Sequence, residues 1–139
     1  MTKSLGNSFV YEGDFLISRS GTIGVVAIVD KNINGFSYGS FMIKFTLKEG
    51  NIIDKNYVSF YLNSKMMQEL MERNKIGAIQ GNITIDTIKN FPLPLPPLPH
   101  QQAIALHISE LRSRAKALQA EAAAEIAAAK AQVEEMLLG

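Results

Sequence analysis

Cysteine and tryptophan are both absent from this 139-residue chain. Without cysteine the chain can form no disulfide, no zinc–thiolate site and no cysteine nucleophile, and this usage is typical of a cytoplasmic protein. No apolar run approaches the roughly 18 residues of a membrane-spanning helix, and residues 1–4 lack the basic-then-apolar pattern of a signal peptide. We therefore expect a cytoplasmic protein with no membrane partner.

An excess of charge of either sign is also missing. Lysine and arginine number 14 and aspartate and glutamate 13, so the formal net charge is +1. A chain of this kind does not hold nucleic acid by bulk charge. If it binds DNA, it must do so through a local patch or with phosphate contacts from a partner.

The motifs of common enzymes and cofactor sites are absent as well. His100 and His107 are the only histidines, and neither has acidic or thiol neighbours at metal-ligand spacing. No glycine cluster is followed by Lys-Ser or Lys-Thr, and no Gly-x-Ser-x-Gly elbow is present. Glu12, Asp14 and Asp30 are interpreted as solvated carboxylates at strand ends. We expect no enzyme, no cofactor and no metal, which leaves a small hydrolase as a disfavoured alternative.

Proline is confined to one place, since all five prolines lie within residues 92–99. Proline fixes φ and has no backbone N–H, so this segment is neither helix nor central strand. It divides the chain into a mixed domain, residues 1–99, and a C-terminal segment, residues 100–139.

The first segment is predicted to be α+β. Residues 14–18 and 24–29 are short runs of β-forming residues bounded by turn formers, and the alternation across 41–45 indicates a half-buried strand. Asp54 opens a predicted helix that continues to about Asn74, and a short element at 82–85 precedes one helical turn before Phe91. The apolar stripe of the helix is interpreted as core, with Val58, Leu62, Met66 and Leu70 at its centre and Tyr61, Met67 and Met71 beside it.

Residues 100–138 are predicted to form one long helix, because they contain twelve alanines and neither proline nor glycine. Apolar residues recur every three or four positions, with one four-residue stutter near Ala122–Ile126. They form a seam made of Ile104, Ile108, Leu111, Ala115, Leu118, Ala122, Ile126, Ala129, Val133 and Met136. A lone helix would leave Ile104, Ile108, Leu111, Leu118, Ile126 and Val133 in water, so we expect this helix to pair with another helix in a coiled coil.

Three stretches together resemble the target-recognition half of a type I restriction-modification specificity subunit. They are Gly13-Asp-Phe-Leu-Ile-Ser-Arg-Ser-Gly-Thr-Ile-Gly24, Gly77-Ala-Ile-Gln-Gly-Asn-Ile83 and the junction Phe91-Pro-Leu-Pro-Leu-Pro-Pro-Leu-Pro-His-Gln101. His100 stands where the family usually has glutamate. A full subunit has two recognition domains and two helices, whereas this sequence has one of each, so it resembles a half-subunit or a fragment.

The resemblance implies a sequence-specific, non-enzymatic DNA-binding protein. Its partners would be double-stranded DNA, methyltransferase (modification) subunits and a restriction subunit. A homodimer of two such chains, paired antiparallel through the C-terminal helix, would read a bipartite site. By resemblance, loops and strand edges contact DNA, and arginine, asparagine and glutamine suit base edges. The candidate DNA-binding residues are Arg19, Ser20, Thr22, Tyr38, Arg73, Lys75, Gln80, Asn82 and Thr84.

The alternative is a protein-interaction adaptor, in which a small α+β domain carries a dimerising coiled coil and binds protein instead of DNA. It accounts for the helix but not for the order of the glycine motifs and the proline junction. Salt-sensitive DNA binding separates the two functions, because phosphate contacts release counterions.

Overall fold

The computed structural model describes residues 9–48, 51–76 and 83–139, and within α2 the side chains of residues 75 and 76 lie outside this description. The chain divides into two compact units, residues 1–102 and 103–139. In the described part of the first unit, a three-stranded sheet is followed by three helices and the proline-rich segment. The predicted α+β fold with a long C-terminal helix is confirmed.

The sheet is antiparallel and has the order β2-β1-β3, with β1 Phe15–Ser18, β2 Val26–Ile28 and β3 Met42–Phe45. A 3-10 helix, Lys31–Ile33, lies between β2 and β3. The central strand alternates buried and half-buried residues, because successive side chains point to opposite faces. Phe15 pairs with Phe45 across the sheet, and their rings stack at a centroid distance of 5.0 Å. One face of the sheet therefore forms the core.

The predicted helix from Asp54 to Asn74 is in fact two helices, α1 Lys55–Leu62 and α2 Lys65–Ile76. The chain breaks at Asn63, whose side chain accepts a hydrogen bond from the Val26 N–H at 3.0 Å and donates one to the Val26 carbonyl at 2.8 Å. The Asn63 side-chain amide pairs with the backbone of β2 as another strand would, and this contact ends the helix after Leu62.

The break changes which methionines are buried. Met67 and Met71 are fully buried, whereas Met66 is exposed, although the predicted stripe placed Met66 at its centre. An uninterrupted helix would keep residues four apart on one face. The break after Leu62 restarts the helix in a different phase, so that prediction was wrong for Met66.

A second correction concerns Asp14, which is 7% exposed and is not a solvated carboxylate. Its Oδ2 accepts a hydrogen bond from the Tyr11 N–H at 2.9 Å and lies 3.8 Å from Lys44 Nζ. Lys44 also donates to the Phe9 carbonyl at 2.8 Å. The Gly-Asp segment therefore closes the turn that leads into β1.

The helix after the second glycine segment is short, with α3 spanning Ile85–Lys89 and Thr84 as its N-cap. The one helical turn expected before Phe91 is confirmed, but described residues 83–85 contain no strand. Thr84 Oγ1 accepts a hydrogen bond from the Thr87 N–H at 3.2 Å, as an N-cap side chain should.

The proline-rich segment is held on α1 by two tyrosines. The Tyr57 hydroxyl donates to the Pro94 carbonyl at 2.9 Å, and the Tyr61 hydroxyl donates to the Pro92 carbonyl at 2.6 Å. Burial, with a smaller contribution from the neighbouring Tyr61, raises the pKa of the Tyr57 hydroxyl above its ordinary value. The segment needs such anchors because it has few backbone donors of its own.

The last helix, α4 Leu98–Leu138, contains 41 residues and so extends about 60 Å at 1.5 Å per residue. Its first turn includes Gln101, which is fully buried in the first unit. In the second unit, residues 103–139, the large seam side chains are exposed except for Ile108, which is half-buried. No described helix is long and apolar enough to cross a membrane.

Candidate functional site

The loop that joins β1 to β2 carries three of the candidate residues, Arg19, Ser20 and Thr22. Its two ends are joined by backbone hydrogen bonds, from the Ser18 N–H to the Val25 carbonyl at 3.1 Å and from the Gly24 N–H to the Ser18 carbonyl at 2.8 Å. The Ser18 hydroxyl donates to the Thr22 carbonyl and accepts from the Val25 N–H. This network makes the loop a compact projection at one end of the sheet.

The loop also rests on α2. Gly24 has a φ of +83°, and a Cβ there would lie 2.5 Å from Met71 Sδ. The Gln68 side chain donates to the Gly24 carbonyl at 2.8 Å, and Ile23 is buried. Glycine is required for both its conformation and its close approach to the helix. The base of the loop is therefore held in place by packing and hydrogen bonds to α2, and the exposed residues of the loop project from it.

Three candidates from distant parts of the sequence meet at one surface depression, Arg19, Tyr38 and Thr84. The depression has a volume of about 430 Å³. Its other lining residues are Met42, Ile43, Lys44 and Ile85. We call this set of seven residues the Arg19 depression.

Arg19 is positioned by the edge of the sheet. Its backbone N–H donates to the Phe41 carbonyl at 2.9 Å, which ties the start of the loop to the residue before β3. Arg19 is half-exposed and lines the depression at the surface. Arginine donates in a planar fork and recognises either a guanine edge or a phosphate.

The electrostatics of the depression favour an anion or an acceptor-rich surface. Arg19 and Lys44 supply its two cations, and none of its described lining residues is acidic. Lys44 is partly neutralised, because Asp14 lies 3.8 Å from its ammonium group. Arg19 is therefore the main source of positive potential at this place.

Other candidates lie outside the Arg19 depression. Ser20 and Thr22 are exposed on the loop, and Arg73 is exposed on α2. Lys75 belongs to α2, but its side chain, like all of Gln80 and Asn82, lies outside the described residues. Thr84 lines the depression while its hydroxyl caps α3, so it has a structural role as well.

Two residues of this surface were not among the candidates, Lys44 and Phe41. In the sequence, the alternation of residues 41–45 places Lys44 off the apolar face of its strand, and this pattern could have identified Lys44 as a surface residue. Phe41 was predicted to be part of the half-buried strand, but it precedes β3 and is 57% exposed beside Arg19. Its ring packs on Gly39, where a Cβ would come within 2.4 Å of it.

Among the described residues no group of three or more His, Cys, Asp or Glu side chains is close enough to hold a metal ion. The chemistry available at the Arg19 depression is hydrogen bonding, charge and apolar contact. Such a set of groups is suited to binding a surface that offers acceptors and methyl groups, as the edges of base pairs do.

Comparison with known proteins gives a family match and a similar fold. A family model described as "Type I restriction modification DNA specificity domain" matches residues 4–128. A solved structure from work on the "structural basis underlying complex assembly and conformational transition of the type I R-M system" has a similar fold, with a TM-score of 0.62 and 21% identity over 83% of this chain. This chain spans 27% of the length of that one.

Proposed function

This chain belongs to the family of type I restriction-modification DNA specificity domains, and from that membership we propose that it recognises a specific DNA sequence. In this function it directs the modification and restriction machinery to its site and carries out no reaction itself. The observation that carries the proposal is the convergence of Arg19, Tyr38 and Thr84 on one depression within the residues that match the family.

The surface around Arg19 suits the major groove of DNA. The loop projects from a fixed base, so an arginine at its start can reach a guanine edge with both of its terminal nitrogens. The Tyr38 and Thr84 hydroxyls can bond to acceptors on neighbouring bases or phosphates. Met42, Ile85 and the exposed Phe41 supply apolar contact of the kind that distinguishes a thymine methyl group.

Phosphate contacts would come from the remaining cations and from partner subunits. With a formal net charge of +1, one chain offers little bulk attraction for DNA. Methyltransferase subunits that dock beside the recognition unit would supply the missing phosphate contacts, and a restriction subunit would join that complex. Binding of S-adenosylmethionine and ATP belongs to those partners in this proposal.

One recognition unit reads one part of a DNA site, and a homodimer reads two. Two-fold pairing through α4 is the simplest closed arrangement for a chain with one recognition unit and one long helix. An antiparallel pair places the two units at opposite ends of the coiled coil, so the target is a bipartite inverted repeat. The length of α4, about 60 Å, sets the spacing between the two half-sites.

A binding experiment tests the proposal against the adaptor alternative. The full chain, alone and with a co-expressed methyltransferase subunit of its own system, is given a pool of duplexes with randomised sequence, and bound DNA is recovered at several salt concentrations. We expect an enriched bipartite sequence and an affinity that falls with salt by a logarithmic slope of about −0.9 per phosphate contacted. Recovery of unenriched DNA by a folded complex would reject specific recognition. No DNA binding at any salt concentration would favour the adaptor.

A further inference from the structure

The first unit contains an apolar cavity of about 440 Å³ that the DNA-recognition proposal does not use. Four parts of the chain enclose it: the residues at the end of β3 and just after it, α1, α3 and the start of the proline-rich segment. Nine of its twelve described lining residues are apolar, so its interior favours the apolar part of a ligand. A cavity of this volume, with mainly apolar walls and a few polar groups, has the properties of a small-molecule site.

Two tyrosines of α1 keep the proline-rich segment at a distance from the helix. Tyr57 and Tyr61 are one helical turn apart, and their hydroxyls donate to the Pro94 and Pro92 carbonyls. A tyrosine side chain is long, so these bonds leave a space between the segment and the α1 backbone. Val58 and Leu62, which follow the two tyrosines along α1, line that space and are themselves buried.

Positive charge borders the cavity. Lys48 comes shortly after β3 and Lys89 is the last residue of α3; both are exposed, and both line the cavity. None of the described lining residues is acidic. Within the described ranges of the chain, neither lysine takes part in an ion pair. The cavity therefore combines an apolar interior with two ammonium groups at its edge.

We propose that this cavity binds an amphipathic monoanion, a small molecule with a carboxylate on a short alkyl chain. The alkyl chain lies against Val58, Leu62 and Ile88, and its burial supplies most of the binding free energy. The carboxylate lies at the edge of the cavity, within reach of the long side chains of Lys48 and Lys89. Charge complementarity selects an anion over a neutral or cationic molecule with the same chain.

This site goes beyond DNA recognition, but it adjoins the surface proposed for it. Ile85 lines both the cavity and the Arg19 depression. Strand β3 contributes Phe45 to the cavity and Met42, Ile43 and Lys44 to the depression. A ligand in the cavity therefore contacts the same strand and helix that form part of the Arg19 depression.

Isoleucine methyl NMR of the full chain locates the ligand without DNA, so a failure of DNA recognition is not mistaken for a failure of this site. The probe is sodium octanoate, and octan-1-ol and octylammonium carry the same chain with a neutral and a positive end. We expect octanoate to shift the methyl signals of Ile85 and Ile88 and to leave that of Ile126, on α4, unchanged. Octan-1-ol should bind about tenfold more weakly and octylammonium more weakly still. Each methylene removed from the octanoate chain should lower the affinity about fourfold.

Substitutions separate the contribution of charge from that of the apolar wall. Lys48→Ala and Lys89→Ala should each weaken octanoate binding about threefold and leave octan-1-ol binding unchanged. Lys65→Ala is the matched control, because it removes an exposed cation outside the cavity and should change neither affinity. Ile88→Trp should fill the cavity and abolish the binding of both ligands. The lysines are exposed, so their variants test the site even if Ile88→Trp disturbs the fold.

Four results would overturn the proposal. The absence of any shift at octanoate concentrations below micelle formation would exclude the site. Equal affinities for octanoate, octan-1-ol and octylammonium would exclude an anionic ligand. Shifts of Ile126 in place of Ile85 and Ile88 would indicate adsorption to the exposed seam of α4. Octanoate binding that disappears as the protein concentration is raised would assign the cavity to a contact between copies of the chain.

Discussion

The Gln101 side chain is joined to the backbone of Asp54: its Oε1 accepts the Asp54 N–H at 2.9 Å. Its Nε2 donates to the Ile52 carbonyl at 3.0 Å and to the Pro96 carbonyl at 2.8 Å. One fully buried amide thus connects the first turn of α4, the end of the proline-rich segment and the residue that caps α1. Gln101, the glutamine of the junction motif, therefore has a structural role, because its side chain holds these three parts of the chain together.

Replacing Gln101 tests this connection. Gln101→Ala should lower the free energy of unfolding by about 2–3 kcal/mol, because three hydrogen bonds are lost from a buried place. Gln102→Ala is the matched control, since it removes an exposed amide from the same helical turn and should have little effect. Urea unfolding followed by tyrosine fluorescence reports on the first unit, which contains all four tyrosines. Equal stabilities of the two variants would contradict this structural role of Gln101.

Several elements of the fold follow from local sequence. The β-forming runs, the Asp54 cap and the alanine-rich helix each have a short-range physical cause, so the sequence predicts them. The break at Asn63 depends on its pairing with Val26, and the burial of Gln101 depends on what the start of α4 packs against. Long-range contacts of this kind leave no local signal.

The candidate site was predictable in its parts and not in its geometry. By resemblance, DNA contacts fall to loops and strand edges, and this made Arg19, Tyr38 and Thr84 candidates. That these three line one depression depends on the register of β1 against β3 and on the place of α3. Phe41 was missed because alternation alone assigned it to the strand that begins one residue later.

Substitutions at two glycines with the same backbone φ can distinguish the cost of a steric clash from the cost of backbone strain. Gly24 and Gly35 both have a φ of +83°, but a Cβ at Gly35 would meet no atom within 4 Å. We expect Gly35→Ala to destabilise the fold by about 1 kcal/mol from strain alone. Gly24→Ala should destabilise it by about 2–4 kcal/mol, because it adds a clash with Met71. Urea denaturation of both variants checks this, and an equal loss would mean that α2 moves aside at no cost.

Alkaline pH should weaken the attachment of the proline-rich segment to α1, because the Tyr57 hydroxyl ionises. Burial raises the pKa of its hydroxyl in the folded state, so the neutral form stabilises the fold. This contribution is fully present below the ordinary tyrosine pKa of about 10 and is lost as the pH rises through the folded-state pKa. Unfolding measured from about pH 8 to about pH 12 should therefore show a smaller loss of stability for Tyr57→Phe than for the natural chain. Parallel curves would indicate that Tyr57 ionises as easily when folded as when unfolded.

Arg19 is the residue whose substitution should change which DNA is bound. Arg19→Ala should cost about 1–3 kcal/mol of binding free energy and relax the preference at one base pair of each half-site. Arg19→Lys keeps the charge but loses the planar fork, so it should restore affinity for all sequences better than it restores that preference. Lys65→Ala serves as the control, because it removes an exposed cation of α2 outside the Arg19 depression. Binding to the selected site and to single-base variants of it measures both quantities. A sequence profile left unchanged by Arg19→Ala, with uniformly weaker binding, would assign Arg19 to a phosphate instead of a base.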